Sequence, residues 1–159
     1  MKIAIWVFLI AFLVINAALG ASTIVGAAIV VDGDTIDVAG TRIRLHGIDA
    51  PEDSQTCRRA SGVTWDCGRE SAQALARHIG RSTVRCEAKG RDRYGRTVAV
   101  CYQGGGDINQ WMVAHGWAVA FRQYAFTYVS AEENARKARL GLWSGTFEMP
   151  WDWRRTKRH

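Results

Sequence analysis

Apolar residues fill the first twenty positions almost without a break, and then the rhythm of the chain changes. Residues 1–20 include 17 apolar residues, all but Lys2, Asn16 and Gly20. A positive charge at Lys2, an uncharged run over 3–15 and the small-x-small triplet Ala18-Leu19-Gly20 match the three regions of a secretory signal, cleaved after Gly20. The rival reading is an uncleaved membrane anchor, since apolar and small residues continue to Val31 and about 20 of them span a bilayer. Residues 24–31 run straight into a polar turn, so they are better used as a strand, and no stable membrane anchor is expected after cleavage.

Beyond that segment the pattern predicts strands first and helices later. Residues 24–31, 35–38 and 42–48 are β-rich and separated by Asp-Gly and Ala-Gly turn signals, which predicts a meander. A polar, irregular stretch follows over 51–68. In 69–79, Ala72, Leu75, Ala76 and Ile79 recur at helical spacing before the stop signal Gly80. The runs 83–88 and 97–102 flank a polar, Gly-containing segment as a hairpin would. Asp107 caps a helix through His115 with a core stripe of Ile108, Trp111 and Met112. A capping box at Ser130 opens a helix to Leu140, with Glu132/Arg136 and Glu133/Lys137 as i, i+4 pairs on a solvated face. The end, 147–159, has a few apolar anchors and then Arg154, Arg155, Lys157 and Arg158, a flexible basic tail. The domain plan is therefore a signal over 1–20, one domain over 21–146 and a basic tail over 147–159.

Cys57, Cys67, Cys86 and Cys101 are even in number and lie beyond the signal, as structural disulfides of an oxidising compartment do. The hairpin sets Cys86 opposite Cys101, which leaves Cys57–Cys67 to close a small loop. Gaps this wide do not suit zinc ribbons or fingers. Secretion or export to a periplasm follows, with an uncleaved membrane anchor as the lesser reading.

The composition of 48% hydrophobic and 23% charged residues excludes disordered and collagen-like chains, and a net charge of +6 favours anionic partners. Candidate chemistry sits in three segments: Asp32-Gly33-Asp34-Thr35, the run Arg44 to Glu52, and Asp92-Arg93-Tyr94-Gly95-Arg96. Each alone reads as a turn or strand exit. Together they supply carboxylates for a hard divalent cation and guanidinium groups for phosphate oxygens, a combination that suits metal-assisted phosphodiester cleavage.

With Asp107-Ile108-Asn109, Gly116-Trp117-Ala118 and the stretch Ala131-Glu132 to Leu142-Trp143 in the same order, the chain resembles the staphylococcal nuclease (thermonuclease) family over nearly all of 24–143. The resemblance implies an α+β fold, a five-stranded OB-type β-barrel with three α-helices. It implies Ca²⁺ on Asp34, Asp49 and the Ala50 backbone carbonyl, Glu52 activating or positioning the attacking water, and Arg44 and Arg96 gripping the phosphate. The implied activity is endonucleolytic cleavage of DNA and RNA, leaving 5′-hydroxyl and 3′-phosphate ends. Single-stranded or denatured substrate is expected, acted on by a monomer.

Two departures stand out. The family's stacking tyrosine pair is replaced by Phe121 and, after Gln123, by Tyr124, which affects base stacking and not the chemistry. The loop 53–66, bracketed by Cys57 and Cys67, is positioned to limit access beside Glu52. His46 alternates with Arg44 on its strand, while His78 and His115 suit helix C-termini; none is assigned a catalytic role. Trp151 and Trp153 are the tryptophans placed to touch nucleic acid. The competing readings are a non-catalytic OB-fold module that binds nucleic acid in the cell envelope, and an envelope protein whose basic surface binds anionic lipid or polymer. Retention of Asp34, Arg44, Asp49, Glu52 and Arg96 argues against both.

Overall fold

A computed structural model describes residues 22–157; the candidate signal and its cleavage point lie outside the described residues. Strand β1 (Thr23–Asp32) alternates half-buried and exposed positions along its whole length. Its apolar run therefore serves a sheet, with Ile24, Ala28 and Val30 against the core and Val25 and Ile29 in solvent. It pairs antiparallel with β2 (Thr35–Val38), and β2 with β3 (Thr41–Leu45), which completes the expected meander. A short strand β4 (Ile48–Asp49) follows. The irregular segment after it contains a small hairpin, β5 (Cys57–Arg59) with β6 (Thr64–Trp65).

Helix α1 (Cys67–Ile79) starts two residues before the apolar periodicity does. Gly68, in its first turn, is tightly packed: a Cβ there would stand 1.7 Å from the Glu52 carbonyl oxygen. The first turn of α1 thus lies directly against the backbone of Glu52, and only glycine permits the approach. Strands β7 (Thr83–Arg91) and β8 (Thr97–Gln103) form the hairpin, with β7 also on β1, and β9 (Gly106–Asp107) extends it. Parallel pairing of β3 with β8 closes β1, β2, β3, β8 and β7 into a five-stranded barrel. Its core holds Ile36, Ile43, Leu45, Leu75 and Ile79, together with Met112 from α2 (Ile108–Ala114). Strand β10 (Val119–Ala120) pairs with β4.

Both expected disulfides are present, Cys57–Cys67 and Cys86–Cys101. Cys86 faces Cys101 across the β7–β8 ladder.

Helix α3 (Val129–Lys137) differs from its expected form: no side chain caps it, and Glu132 is not on a solvated face. Glu132 is buried, accepts the Ala120 N–H at 2.8 Å and pairs with Arg122 at 2.6 Å. The main-chain donor of β10 offers more than an exposed i, i+4 partner does, because leaving it unmet inside the protein is costly.

Beyond a 3₁₀ turn (Gly141–Ser144), strand β11 (Gly145–Thr146) adds to β5. The end of the chain then folds as α4 (Pro150–Thr156), with proline at its start. Among the described residues four α-helices are thus present where three were expected, and the tail read as flexible is ordered as far as α4. Its anchors explain this: Phe147, Met149 and Trp151 pack against a second apolar cluster of Cys57, Trp65, Cys67, Val119 and Leu142. Among the described residues no helix is long and apolar enough to cross a membrane.

Candidate active site

The three segments singled out in the sequence meet at one cleft of about 880 Å³ on the flank of the barrel, lined by Asp32, Asp34, Arg44, Glu52, Arg96 and others. The β1–β2 turn begins the site. Asp32 Oδ1 accepts the Asp34 N–H at 2.9 Å, which aims Asp34 inward. A Cβ at Gly33 would meet Ser71 Oγ at 2.3 Å and the Ala50 Cβ at 2.6 Å. The turn therefore presses on α1 and on the strand exit that carries Asp49 and Ala50, and Gly33 is what lets it do so.

Asp34 is tied in place from two sides. Its Oδ1 pairs with Arg44 Nη1, and its Oδ2 accepts the Ala50 N–H at 2.8 Å. Asp49 is fully buried. Its Oδ1 accepts from Arg44 Nη2 at 2.8 Å and from Arg154 Nη1 at 3.0 Å, and its Oδ2 accepts from Arg154 Nη2 at 2.8 Å. Arg154 Nη1 also reaches Glu52 Oε1 at 2.7 Å. In contrast to Asp49, the Glu52 side chain keeps 41% of its surface exposed.

Burial sets the direction of several ionisations. It raises the Asp32 pKa, against hydrogen bonding from Thr35 and the charge of Arg44. It lowers that of Arg44, which Asp49 partly restores. It also disfavours the charged form of Arg154, yet hydrogen bonds to Asp49 and Glu52 prevail and raise that pKa.

Arg96 is held differently. Its Nε donates to Asp92 Oδ2 at 2.7 Å, its main-chain N–H donates to Asp92 Oδ1 at 3.0 Å, and Nη1 makes only a 3.4 Å contact with Thr35 Oγ1. Arg44 commits both terminal nitrogens to carboxylates, so Arg96 is the freer of the two to fork onto an incoming anion.

The expected stacking residues are close together. Phe121 and Tyr124 meet edge to face with centroids 5.0 Å apart, and both line the cleft. Phe121 already has a partner: Trp151 of α4 stacks on it at 5.5 Å and 8°. His46 lines the cleft without a described side-chain partner, and burial lowers its pKa. His78 and His115 stack on Trp111, at 3.8 and 4.3 Å between centroids.

Sequence reasoning passed over three residues. Arg154 sat in a tail read as flexible. Gln55, fully buried, accepts the Glu52 N–H at 3.3 Å and donates to the Glu148 carbonyl at 2.7 Å, which joins the Glu52 turn to the approach of α4. Asn109 accepts the Cys101 N–H at 3.1 Å and donates to the His46 carbonyl at 2.9 Å, bracing β8 against the end of β3. A lone buried amide gives little sign of itself in a sequence; Arg154 was signalled only by its spacing from Trp151.

Among the described residues no three His, Cys, Asp or Glu side chains form a ready metal cage. The donor chemistry nonetheless suits a hard cation. Asp34, Asp49 and the Ala50 carbonyl supply oxygen atoms, and Asp34 Oδ2 and Asp49 Oδ2 each accept a single hydrogen bond, which leaves acceptor capacity on both. Asp32, Asp34, Asp49 and Glu52 face Arg44 and Arg154, while Asp92 neutralises Arg96.

A closed five-stranded OB-type barrel with an oxygen-rich, arginine-flanked cleft is the class of protein that this fold and site define. Within it, the chain belongs to the family described as staphylococcal nuclease homologue, whose model matches residues 42–145. It is similar to a succinoglycan biosynthesis protein, ExoI, of Rhizobium meliloti (strain 1021), 42% identical over 138 residues that cover 85% of this chain and 72% of the relative. It is also similar to the micrococcal nuclease of Shigella flexneri, 38% identical over 148 residues covering 82% and 79%. An uncharacterized endonuclease of Haemophilus influenzae is 33% identical over 165 residues, covering 99% and 87%.

Proposed function

We propose that the protein is a Ca²⁺-dependent endonuclease that hydrolyses DNA and RNA to 5′-hydroxyl and 3′-phosphate ends. The observation that carries this reading is the convergence of Asp34, Arg44, Glu52 and Arg96 on one cleft, with fully buried Asp49 hydrogen-bonded to Arg44. Relatives named as nucleases support the reading.

In this mechanism Asp34, Asp49 and the Ala50 carbonyl hold the cation. When bound, the ion offsets phosphate charge and orients the reacting groups. Glu52, partly open to solvent, keeps a water at its carboxylate and takes the water's proton as the oxygen attacks phosphorus; the P–O5′ bond breaks, and the leaving 5′ oxygen takes up a proton from solvent to become the 5′-hydroxyl, leaving the phosphate on the 3′ side. Arg96 forks onto the phosphate oxygens, and Arg44 adds positive charge from behind the carboxylates, so charge growing in the transition state meets fixed donors. Single-stranded or denatured substrate fits the rim, where Tyr94 and Tyr124 stand 65% and 63% exposed as platforms for unpaired bases. The cleft is formed within one chain, which fits a monomer, and two disulfides fit an extracellular or periplasmic setting.

The test is digestion of denatured DNA and RNA by purified protein with Ca²⁺ and with excess chelator, followed by end analysis. Cleavage with Ca²⁺ that stops with chelator and yields 5′-hydroxyl ends is expected. Full activity in chelator, or 5′-phosphate products, would refute the mechanism.

A further inference from the structure

The C-terminal helix reaches the site twice, through Trp151 on Phe121 and through Arg154 on two carboxylates. The second contact is the more consequential. Arg154 lies 105 residues from Asp49 in sequence and 102 from Glu52, yet its guanidinium forks across both oxygens of Asp49 while the same Nη1 holds Glu52 Oε1. No other hydrogen bond to the Glu52 carboxylate is present among the described residues; the Gln55 side chain holds the Glu52 main-chain N–H instead. The stem of α4 is fixed independently, by buried Pro150 and by Trp151 in the second apolar cluster, so the guanidinium is presented from a braced support.

We propose that Arg154 is a positioning residue of the active site, which holds the Glu52 carboxylate at a set place relative to Asp49 and trims the negative charge of the metal-binding pair. This rests on the nuclease reading of the cleft. A carboxylate on a mobile side chain samples many orientations, and its service as a base falls with the share of time spent in the productive one. A guanidinium bridge to a fully buried neighbour restricts that sampling. The same group is a unit positive charge beside Asp49, so it weakens cation binding there. One residue thus has two separable effects, one from its shape and one from its charge.

Arg154→Ala, Arg154→Lys and Arg155→Ala separate them. Arg155 is on the same helix and pairs only with Asp152 at the surface. Ca²⁺ affinity is read by calorimetry without nucleic acid, turnover and KM are read on denatured DNA, and thermal melting monitors the fold. Arg154→Ala is expected to lower turnover about 10- to 100-fold with KM within about threefold, and to bind Ca²⁺ about threefold or more tightly. Arg154→Lys keeps the charge but lacks the fork. Its Ca²⁺ affinity should return to within about twofold of wild type while turnover stays low. Arg155→Ala should match wild type in both.

Turnover of Arg154→Ala equal to or above wild type overturns the proposal, the latter marking α4 as an inhibitory cap. Unchanged Ca²⁺ affinity, or equal losses in Arg155→Ala, would make Arg154 a plain anchor of the helix. Should Arg154→Ala fail to fold, the split between affinity and turnover in Arg154→Lys decides. A wild-type protein inactive with Ca²⁺ sinks the nuclease reading and this proposal with it, whereas an active wild type with an indifferent Arg154 sinks the proposal alone.

Discussion

Along one wall of the cleft, Asp34, Asp49 and Arg44 lock one another in place almost out of reach of solvent; along the other, Lys89, Arg91, Arg93 and Tyr94 stand in water. The first wall comes from strand ends and tight turns packed closely at Gly33, against the Ser71 and Ala50 side chains, and at Gly68, against the Glu52 backbone. The second is the tip of the β7–β8 hairpin, joined to the barrel at its base. The same two residue types, carboxylate and arginine, thus occur in opposite settings. Where charges are buried, each needs a partner, and removing one strands another. Where they are exposed, each adds a small, salt-screened increment to the attraction of a polyanion.

Glu52 gives the largest test of the contrast, because it touches the buried wall while keeping solvent contact. Glu52→Gln keeps shape and removes the base, so turnover should fall about 10²- to 10⁴-fold, while the melting temperature holds. A comparable loss in stability would mean that Glu52 belongs to the structural network rather than to the chemistry.

Arg44 and Arg96 come next, as one residue type on the two walls. Arg44→Ala abandons Asp34 and buried Asp49, for a cost on the order of 3 to 5 kcal/mol in folding stability. Arg96→Ala breaks a pair at 2.7 Å whose side chains are 29% and 19% exposed, for a cost of about 1 kcal/mol or less. Both should lose turnover. Denaturant melts check the stability ratio, and similar values would erase the distinction between the walls.

How much of this was legible in the sequence follows the same line. Asp34, Arg44, Asp49 and Glu52 lie on or beside three successive short strands, and local turn chemistry announces them. The barrel strands were legible because their period and their turns agree. Arg154 and Gln55 escaped because their partners are distant in sequence or are main-chain atoms, which leave no pattern. Glu132 was misread for the same reason: an i, i+4 partner is visible in a sequence, whereas the N–H of Ala120 is not. The order of the tail, too, depends on an apolar cluster to which Cys57 and Trp65 contribute from far upstream in the chain.

On the exposed wall the effects shrink. Tyr124→Ala removes an open stacking platform and should raise KM by the equivalent of about 1 to 3 kcal/mol per base, read from titrations with short single strands. Arg91→Ala and Arg93→Ala should each weaken binding a few-fold whatever the sequence, and lower the slope of log affinity against log salt by about one. A sequence-dependent loss would place these side chains against bases instead.

The smallest effect concerns Asp92, at the foot of the exposed wall. Burial alone would raise its pKa, but hydrogen bonds from the Arg96 side chain and from the main chains of Arg96 and Tyr94 prevail, and the folded value lies below the ordinary 3.8. The folded state therefore holds the Asp92 proton less tightly than the unfolded chain does. Its contribution to stability is fully present above the ordinary carboxylate pKa, and it is lost as pH falls through the lower, folded value. Asp92→Asn keeps an acceptor and loses the charge. The stability gap between wild type and this variant should be constant near neutrality and close only in acid, below about pH 4. A gap that widened in acid would reverse the sign of the shift.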